Sequence, residues 1–272
     1  MRGSNNKSSF AKKSLGQNFL IDQNYIRKIV EALNPNETDT IIEIGPGRGA
    51  ITERLVESSA NIIAIELDRE FVPMLRERFQ SNSNFRIVEG DATKIDFSEA
   101  IAETPQSAVR SPQSKVVANL PYYISTAILQ RLSEQRECFS SLVLMFQKEV
   151  VERITAKPGT SERGFLTVLV ENAFDVQHLF DVPPTAFRPA PKVTSAVAIL
   201  TPKPRTIADE PAFRSLVSKA FAQKRKTILN NLKRDFLMAE TALREAQIDP
   251  SRRAETLTLA EWIKFTLALS GE

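Results

Sequence analysis

Thiol and imidazole are almost missing from this chain. One cysteine, Cys138, and one histidine, His178, occur in 272 residues. A single thiol excludes a disulfide framework and a cysteine-based zinc cluster, and it fits a reducing compartment. A single imidazole argues against a histidine-rich metal site and against a Ser-His-Asp triad, so no metal is expected. No run approaches the ~18 consecutive apolar residues that a membrane span needs. A cytoplasmic protein with no membrane partner is therefore expected. What is present in quantity is apolar side chain. Hydrophobic residues make up 42% against 25% charged, enough for a packed core and against wholesale disorder. The length suits one large domain and a small one, or two modest ones.

The net charge is only +3, but it is unevenly placed. Residues 1–28 carry six Lys/Arg against one acid, and residues 205–272 carry twelve against nine, so the body between them is mildly acidic. Basic ends around an acidic body suggest a polyanionic partner gripped at the ends. The same charges also fit solvated tails. The first 21 residues are Ser- and Lys-rich without acids, as in a transit peptide, yet they lack amphipathic periodicity.

Asp22 is a plausible N-cap for a helix to about Leu33, and Asn34-Pro35 ends it. Apolar strand-like runs then alternate with helix-like segments. The strands are expected at Thr40–Ile44, Asn61–Glu66, Phe85–Val88, Lys115–Ala118 and Ser141–Phe146. Helices are expected near 50–58, 69–79, 125–134 and 147–155. Strands this apolar, separated by helices, predict an α/β fold with a parallel sheet covered on both faces. Residues 98–114 read as a surface excursion. Residues 183–192, with four prolines, read as irregular. They separate two runs, Val176–Val182 and Val193–Thr201, expected to pair late in the sheet. Beyond Pro202-Lys203-Pro204 only helical patterns follow. The division expected is thus 1–204 for a catalytic domain and 205–272 for a small all-helical one.

Gly45-Pro46-Gly47-Arg48-Gly49 follows the first of these strands and opens the next helix. Glycines there let the backbone turn sharply and approach a ligand. Gly45-x-Gly47-x-x-Ala50 also satisfies a dinucleotide fingerprint, so the loop alone says only that the ligand is nucleotide-like. Glu66, at the end of the second strand and about 20 residues further on, can accept from both hydroxyls of an unphosphorylated ribose. Asp91, in Gly90-Asp91-Ala92, ends the third strand in the same way and can accept from an adenine amino group.

The fourth strand ends in Asn119-Leu120-Pro121-Tyr122. An exocyclic adenine amine is a poor nucleophile because its lone pair is delocalised into the ring. Acceptors for its two hydrogens are needed before it attacks an electrophilic methyl. The Asn119 side-chain oxygen and the Leu120 carbonyl supply two, because Pro121 restricts Leu120 to an extended conformation. Tyr122 can stack on the base, worth roughly 1–3 kcal/mol. No histidine is required, in keeping with the inventory.

Together these blocks resemble the KsgA-type small-subunit ribosomal RNA adenine N6,N6-dimethyltransferases, a branch of the Rossmann-like S-adenosylmethionine-dependent methyltransferases. The resemblance runs from about Lys12 nearly to the end. It includes Lys13–Leu20, Glu43–Gly49, Glu66-Leu67-Asp68, Gly90-Asp91-Ala92, Asn119–Tyr122, Gln147–Val150, Phe187–Val193 and Gln223–Thr227. It implies S-adenosyl-L-methionine as cofactor, with Gln17, Asn18, Leu20, Gly45, Gly47, Glu66, Asp91 and Asn119 as its contacts. It also implies that Phe187 and Tyr122 hold the target base. The implied substrate is a pair of adjacent adenosines near the 3′ end of 16S ribosomal RNA, met within a pre-ribosomal small subunit by a monomeric enzyme. Lys12, Lys13, Lys224, Arg225, Lys226, Lys233 and Arg234 would contact the RNA backbone. By themselves these charges equally fit a solvated helix face. Two departures from the family pattern stand out: the 98–114 excursion is longer than usual, and at Glu162-Arg163-Gly164 the family generally shows a lysine and an aromatic before the glycine.

Other readings share parts of this pattern. Macrolide-resistance methyltransferases of large-subunit RNA share the glycine loop and the Asn-(Ile/Leu)-Pro-Tyr motif, but the Phe187–Val193 and Gln223–Thr227 blocks favour the small-subunit enzymes. A mitochondrial transcription-factor relative predicts a longer leader. A nicotinamide-dependent oxidoreductase leaves Asn119–Tyr122 without a role. A noncatalytic ribosome-assembly factor is compatible with every RNA-binding feature.

Overall fold

The computed structural model describes residues 17–102, 114–121 and 124–271. The chain forms two compact units. One comprises the residues up to Lys148 together with His178–Leu200, and the other Glu149–Gln177 with the residues from Thr201 onward.

The first unit begins with a short strand, β1 (Phe19–Leu20), and helix α1 (Gln23–Leu33). The Asp22 side chain caps α1 by accepting from the Asn24 N–H at 2.9 Å. Asn34 ends it in a left-handed conformation, φ 48°, with its N–H turned back to the carbonyls of Val30 and Glu31. Strands and helices then alternate: β2 (Thr40–Ile44), α2 (Thr52–Leu55), β3 (Asn61–Glu66), α3 (Phe71–Arg78), β4 (Phe85–Glu89), α4 (Phe97–Ala102), β5 (Ser114–Asn119), α5 (Ser125–Glu134) and β6 (Phe139–Gln147). After α6 (Lys148–Ile154) and α7 (Phe165–Ala173) come β7 (Phe174–Val182), β8 (Phe187–Arg188) and β9 (Ser195–Pro202).

Seven strands form one sheet in the order β4-β3-β2-β5-β6-β9-β7. The pairs from β4 through β6 are parallel, and β9 runs antiparallel to β6. Ile41, Ile62, Val117, Val143 and Met145 pack on one face with Ile26, Ile29 and Leu33 of α1. Their alternates Ile42, Ile63, Val116, Leu142 and Leu144 are buried too. Both faces are covered, as the apolar runs required. The chain leaves β2 toward β3 and β4, then returns to the other side of β2 as β5. Strand order reverses there, and the carboxyl ends of β2 and β5 bound the crevice where open α/β sheets take ligands.

Two irregular stretches turned out more ordered than expected. Residues 98–102 of the supposed 98–114 excursion belong to α4. Asp96 Oδ1 accepts from the Ser98 N–H and hydroxyl there, while Phe97 and Ala100 are buried; residues 103–113 lie outside the described residues. In the proline-rich 183–192 segment, β8 pairs antiparallel with β1, Phe19 opposite Arg188 and Leu20 opposite Phe187. The ladder is extended by the N–H groups of Ile21 and Asp22, which both donate to the Ala186 carbonyl.

The second unit holds α6, α7 and the terminal helices α8 (Glu210–Ala220), α9 (Ile228–Leu232), α10 (Ala239–Glu245) and α11 (Leu259–Ser270). The cut expected at 204 falls near the observed return at Thr201, but 149–177 group with the helical unit. The cause is α7, whose Val168 and Leu169 share an apolar core with Phe213, Leu216, Trp262 and Phe265. The unusual Arg163 is 1% exposed, donates to the Ala156 carbonyl and pairs with Glu171 at 2.6 Å. Arg163 and Glu171 thus form an ion pair within the second unit.

Candidate active site

A cleft of about 290 Å³ opens at the carboxyl ends of β2, β3 and β5. Its floor is the glycine loop. Gly45 adopts φ +67° with open space where a Cβ would stand, so a ligand can approach its backbone. At Gly47, φ +55°, a Cβ would come within 3.2 Å of the Phe19 ring. Phe19 is held edge-on against Phe71, with ring centroids 5.6 Å apart, and the Arg48 guanidinium lies over its face at 4.6 Å.

Glu66 is buried at the end of β3. Its two oxygens accept from the Gly47 N–H at 3.0 Å and the Asp68 N–H at 2.8 Å. Burial raises its pKa, and these two N–H groups partly offset that. Each oxygen keeps a lone pair for a further donor, as a ribose diol would require. Sheet register puts Glu43, Glu66 and Asn119 on the same face. Glu43 is 2% exposed, and burial pushes its pKa up to about 7 against the opposing hydrogen bond from the Thr52 hydroxyl at 2.6 Å.

Asn119 ends β5. Its Nδ2 donates to the Asn18 carbonyl at 3.1 Å, which commits the amide nitrogen and leaves Oδ1 as the acceptor. The Leu120 N–H is tied to the Met145 carbonyl at 3.1 Å, fixing the peptide that precedes Pro121. Across the cleft, Gln17 Nε2 donates to Asp68 Oδ2 at 3.2 Å. The 17–21 strap is therefore fastened to the β2 loop, the β3 loop, the end of β5 and β8.

The structure brings Gln17, Asn18, Leu20, Gly45, Gly47, Glu66, Asn119, Leu120 and Pro121 together around the cleft. Two expected residues stand apart. Asp91 does not line it; its Oδ1 accepts from the Thr93 N–H and hydroxyl, which holds its pKa below the usual value. Phe187 is 3% exposed, belongs to the apolar cluster of Leu20, Ile29 and Val197 and pairs in register with Leu20. Tyr122, Lys12 and Lys13 lie outside the described residues. Lys224, Arg225, Lys226, Lys233 and Arg234 are exposed on the second unit. His178 pairs with Asp181 at the surface and takes no part in the cleft.

Sequence reasoning gave no role to Glu43, Arg48 or Arg78, which also line the cleft. A carboxylate inside the apolar run Thr40–Ile44 was the available signal for Glu43. Arg78 donates to the Arg48 carbonyl at 2.8 Å and pairs with Glu53 at 2.9 Å, a long-range clamp on the glycine loop with no local sequence mark.

Comparison with known proteins agrees with this geometry. The profile described as "Ribosomal RNA adenine dimethylase" matches residues 8–270. The chain is 42% identical over 267 residues to "Ribosomal RNA small subunit methyltransferase A" of Geobacter metallireducens, covering 95% of each chain. It is 44% identical over 259 residues to the protein of that name from Aromatoleum aromaticum, covering 94% of this chain and 93% of that one. Among solved structures, a dimethyladenosine transferase from Plasmodium falciparum superposes with a TM-score of 0.76 at 26% identity, over 91% of this chain and 95% of the other. Because the family profile spans nearly the whole chain and these relatives are 42% and 44% identical across more than nine-tenths of it, the chain belongs to the ribosomal RNA adenine dimethylase family.

Proposed function

We propose that the cleft methylates N6 of two adjacent adenosines near the 3′ end of small-subunit (16S) ribosomal RNA, each twice, during ribosome biogenesis. The chain is an rRNA adenine dimethyltransferase, and its methyl donor is S-adenosyl-L-methionine, which supplies an electrophilic methyl on a sulfonium. The observation that carries the reading is the Asn119 amide, turned by its bond to Asn18 so that Oδ1 is the acceptor at the cleft wall.

In this reading Glu66 receives the ribose hydroxyls, and Gly45 and Gly47 give the donor close backbone approach. Gln17, Asn18 and Leu20 close the strap over it. Asp91, beyond the lining of the cleft, is assigned to the adenine end through Oδ2, the oxygen that Thr93 does not engage. Asn119 Oδ1 and the Leu120 carbonyl would accept the N6 hydrogens, two in the first transfer and the one that remains in the second, and so draw the nitrogen lone pair out of conjugation. The N–C bond would form as the sulfonium S–C bond breaks, with S-adenosylhomocysteine leaving as a neutral thioether. The protonated amine produced is acidic and sheds its proton without a dedicated base. Tyr122 would stack on the base, which costs less to extrude from a loop than from a duplex. Lys12, Lys13 and the exposed 224–226 and 233–234 cations are assigned to RNA phosphates. The setting is a pre-ribosomal small subunit in the cytoplasm, with the enzyme a monomer. Among the described residues no helix is long and apolar enough to cross a membrane.

The test is methyl transfer from labelled S-adenosylmethionine to small-subunit particles lacking these methylations, with large-subunit RNA as control. Label recovered as N6,N6-dimethyladenosine in small-subunit RNA alone is expected. Label in the large-subunit RNA reassigns the substrate. Donor binding without label in either points to an assembly factor.

A further inference from the structure

The second unit carries an apolar feature that its own core does not explain. Between α9 and α10 the chain turns tightly. The N–H groups of Asp235 and Phe236 both donate to the Leu232 carbonyl, at 3.0 and 2.9 Å, and the Ala239 N–H donates to the Phe236 carbonyl at 3.0 Å. Phe236 and Ala239 pack against the core. The two residues between them do not. Leu237 is 93% exposed and Met238 is 59% exposed, the most exposed large hydrophobic side chains among the described residues. Lys219 bridges Asp235 at 3.1 Å and fastens the turn to α8. The pair is thus held outward on a braced tip.

Cations outnumber acids around this tip. The adjoining acids are each matched, Asp235 with Lys219 and Glu240 with Arg244 at 2.8 Å. Lys233 and Arg234, just before the tip, are exposed cations, and Lys224, Arg225 and Lys226 are exposed on the turn that precedes α9. Asn231 braces that turn as well, donating to the carbonyls of Ala220 at 2.7 Å and Gln223 at 3.1 Å. Lys224 donates to the Ser161 carbonyl and interacts with Glu162. An aliphatic pair beside the exposed cations Lys233 and Arg234 is complementary to a polyanion that shows apolar surface between its charges. An A-form RNA helix does so: its wide, shallow minor groove exposes ribose faces between two rows of phosphates. Single-stranded bases are the poorer fit, because they are held by aromatic or guanidinium stacking, which Leu and Met do not offer.

We infer that Leu237 and Met238 form a wedge that seats in the minor groove of a helical segment of the substrate RNA, with Lys233 and Arg234 on the flanking phosphates. This rests on the RNA-substrate reading above and adds to it a contact that is not electrostatic. Phosphate contacts weaken with salt, whereas apolar burial does not, and the two can be separated on that ground.

The experiment uses the full chain, with dissociation constants for protein-free 16S ribosomal RNA and for the undermethylated particle measured across a salt series. The double variant Leu237→Ser/Met238→Ser is expected to bind both about tenfold more weakly at every salt concentration, with the salt slope unchanged. The double variant Lys233→Ala/Arg234→Ala is expected to flatten the slope by about 0.9 for each phosphate that is no longer neutralised. Because both apolar side chains are exposed, melting temperature and S-adenosylmethionine affinity should match the parent. Unchanged affinity for both targets overturns the wedge. Weaker binding to the particle alone, with protein-free RNA unaffected, overturns it in favour of a protein contact. Loss of self-association in the apolar variant makes the tip a contact between copies of this chain and overturns it as well. If the parent protein binds neither target, the RNA-substrate reading fails along with the wedge.

Discussion

The side-chain amide of Asn119 donates to the main-chain carbonyl of Asn18, 3.1 Å away, so the end of β5 and the N-terminal strap share one hydrogen bond. The bond distinguishes the two atoms of the amide: the nitrogen is committed to the strap, and the oxygen is left as the acceptor that the proposed mechanism uses. Asn119→Ala removes the acceptor and should lower kcat by about 100-fold or more, the size seen when one preorganised transition-state hydrogen bond is deleted. RNA affinity should stay within about twofold. Asn119→Asp keeps the acceptors but sets a carboxylate against the Asn18 carbonyl, so it should also lose activity. Single-turnover kinetics beside RNA binding checks both, and equal loss of turnover and RNA binding in Asn119→Ala would refute the assigned role.

Glu66 makes a pH-dependent prediction. Its pKa is raised, chiefly by burial, and ribose recognition needs the ionised acceptor. Affinity for S-adenosylmethionine should therefore fall as pH drops through that raised pKa. Glu66→Gln should weaken binding by roughly 10- to 100-fold, as for loss of hydrogen bonds to a charged group, and flatten the pH profile. Calorimetric titration between pH 5 and 8 measures both, and an unchanged dissociation constant removes Glu66 from the site.

The sheet was legible because β2, β3, β5 and β6 are buried on both faces and so read as unbroken apolar runs, while Asp22 and Asn34 mark the ends of α1 chemically. Gly45, Glu66 and Asn119 were legible because a parallel sheet carries such residues to one edge. The β1–β8 ladder was not legible. It consists of two-residue strands joined across more than 160 residues, with Phe187 in a proline-rich stretch that gives no periodic signal. Asp91 is less legible: Glu66 is the last residue of β3 and pairs in register with Glu89, whereas Asp91 lies two residues beyond β4, where Thr93 engages one of its carboxylate oxygens in a local turn. The grouping of α7 with the terminal helices depends on long-range packing of Val168 and Leu169, which the local sequence does not show.

Glu43 couples stability to pH. Its folded pKa of about 7 lies above the ordinary value of 4.5, so the folded state holds a proton that the unfolded chain releases. The contribution is therefore fully present below pH 4.5 and is lost as pH rises through 7. The shift corresponds to about 3 kcal/mol at most. Glu43→Gln keeps an acceptor for the Thr52 hydroxyl and has no charge to desolvate. Its stability advantage over the parent should be small at pH 5 and should grow toward pH 8. Denaturant melts at both values decide this, and an advantage independent of pH would mean that Glu43 is not protonated in the folded state.

Two glycines of one loop should respond differently to alanine. Both have positive φ, so each substitution carries backbone strain of about 1 kcal/mol. At Gly49, φ +79°, the new Cβ would also lie 3.0 Å from Leu75 Cδ2 and from Phe79 Cε2, atoms of packed side chains beneath the loop. At Gly45, φ +67°, nothing lies within 4 Å. Gly49→Ala should therefore destabilise the fold by a further 1–3 kcal/mol or so through overpacking. Gly45→Ala should cost little beyond its strain, yet weaken S-adenosylmethionine binding by occupying the space the donor needs. Thermal melts paired with donor titrations on the two variants test the contrast. Equal stability losses with unchanged donor affinity at Gly45 would show that the open space above it is not where the donor lies.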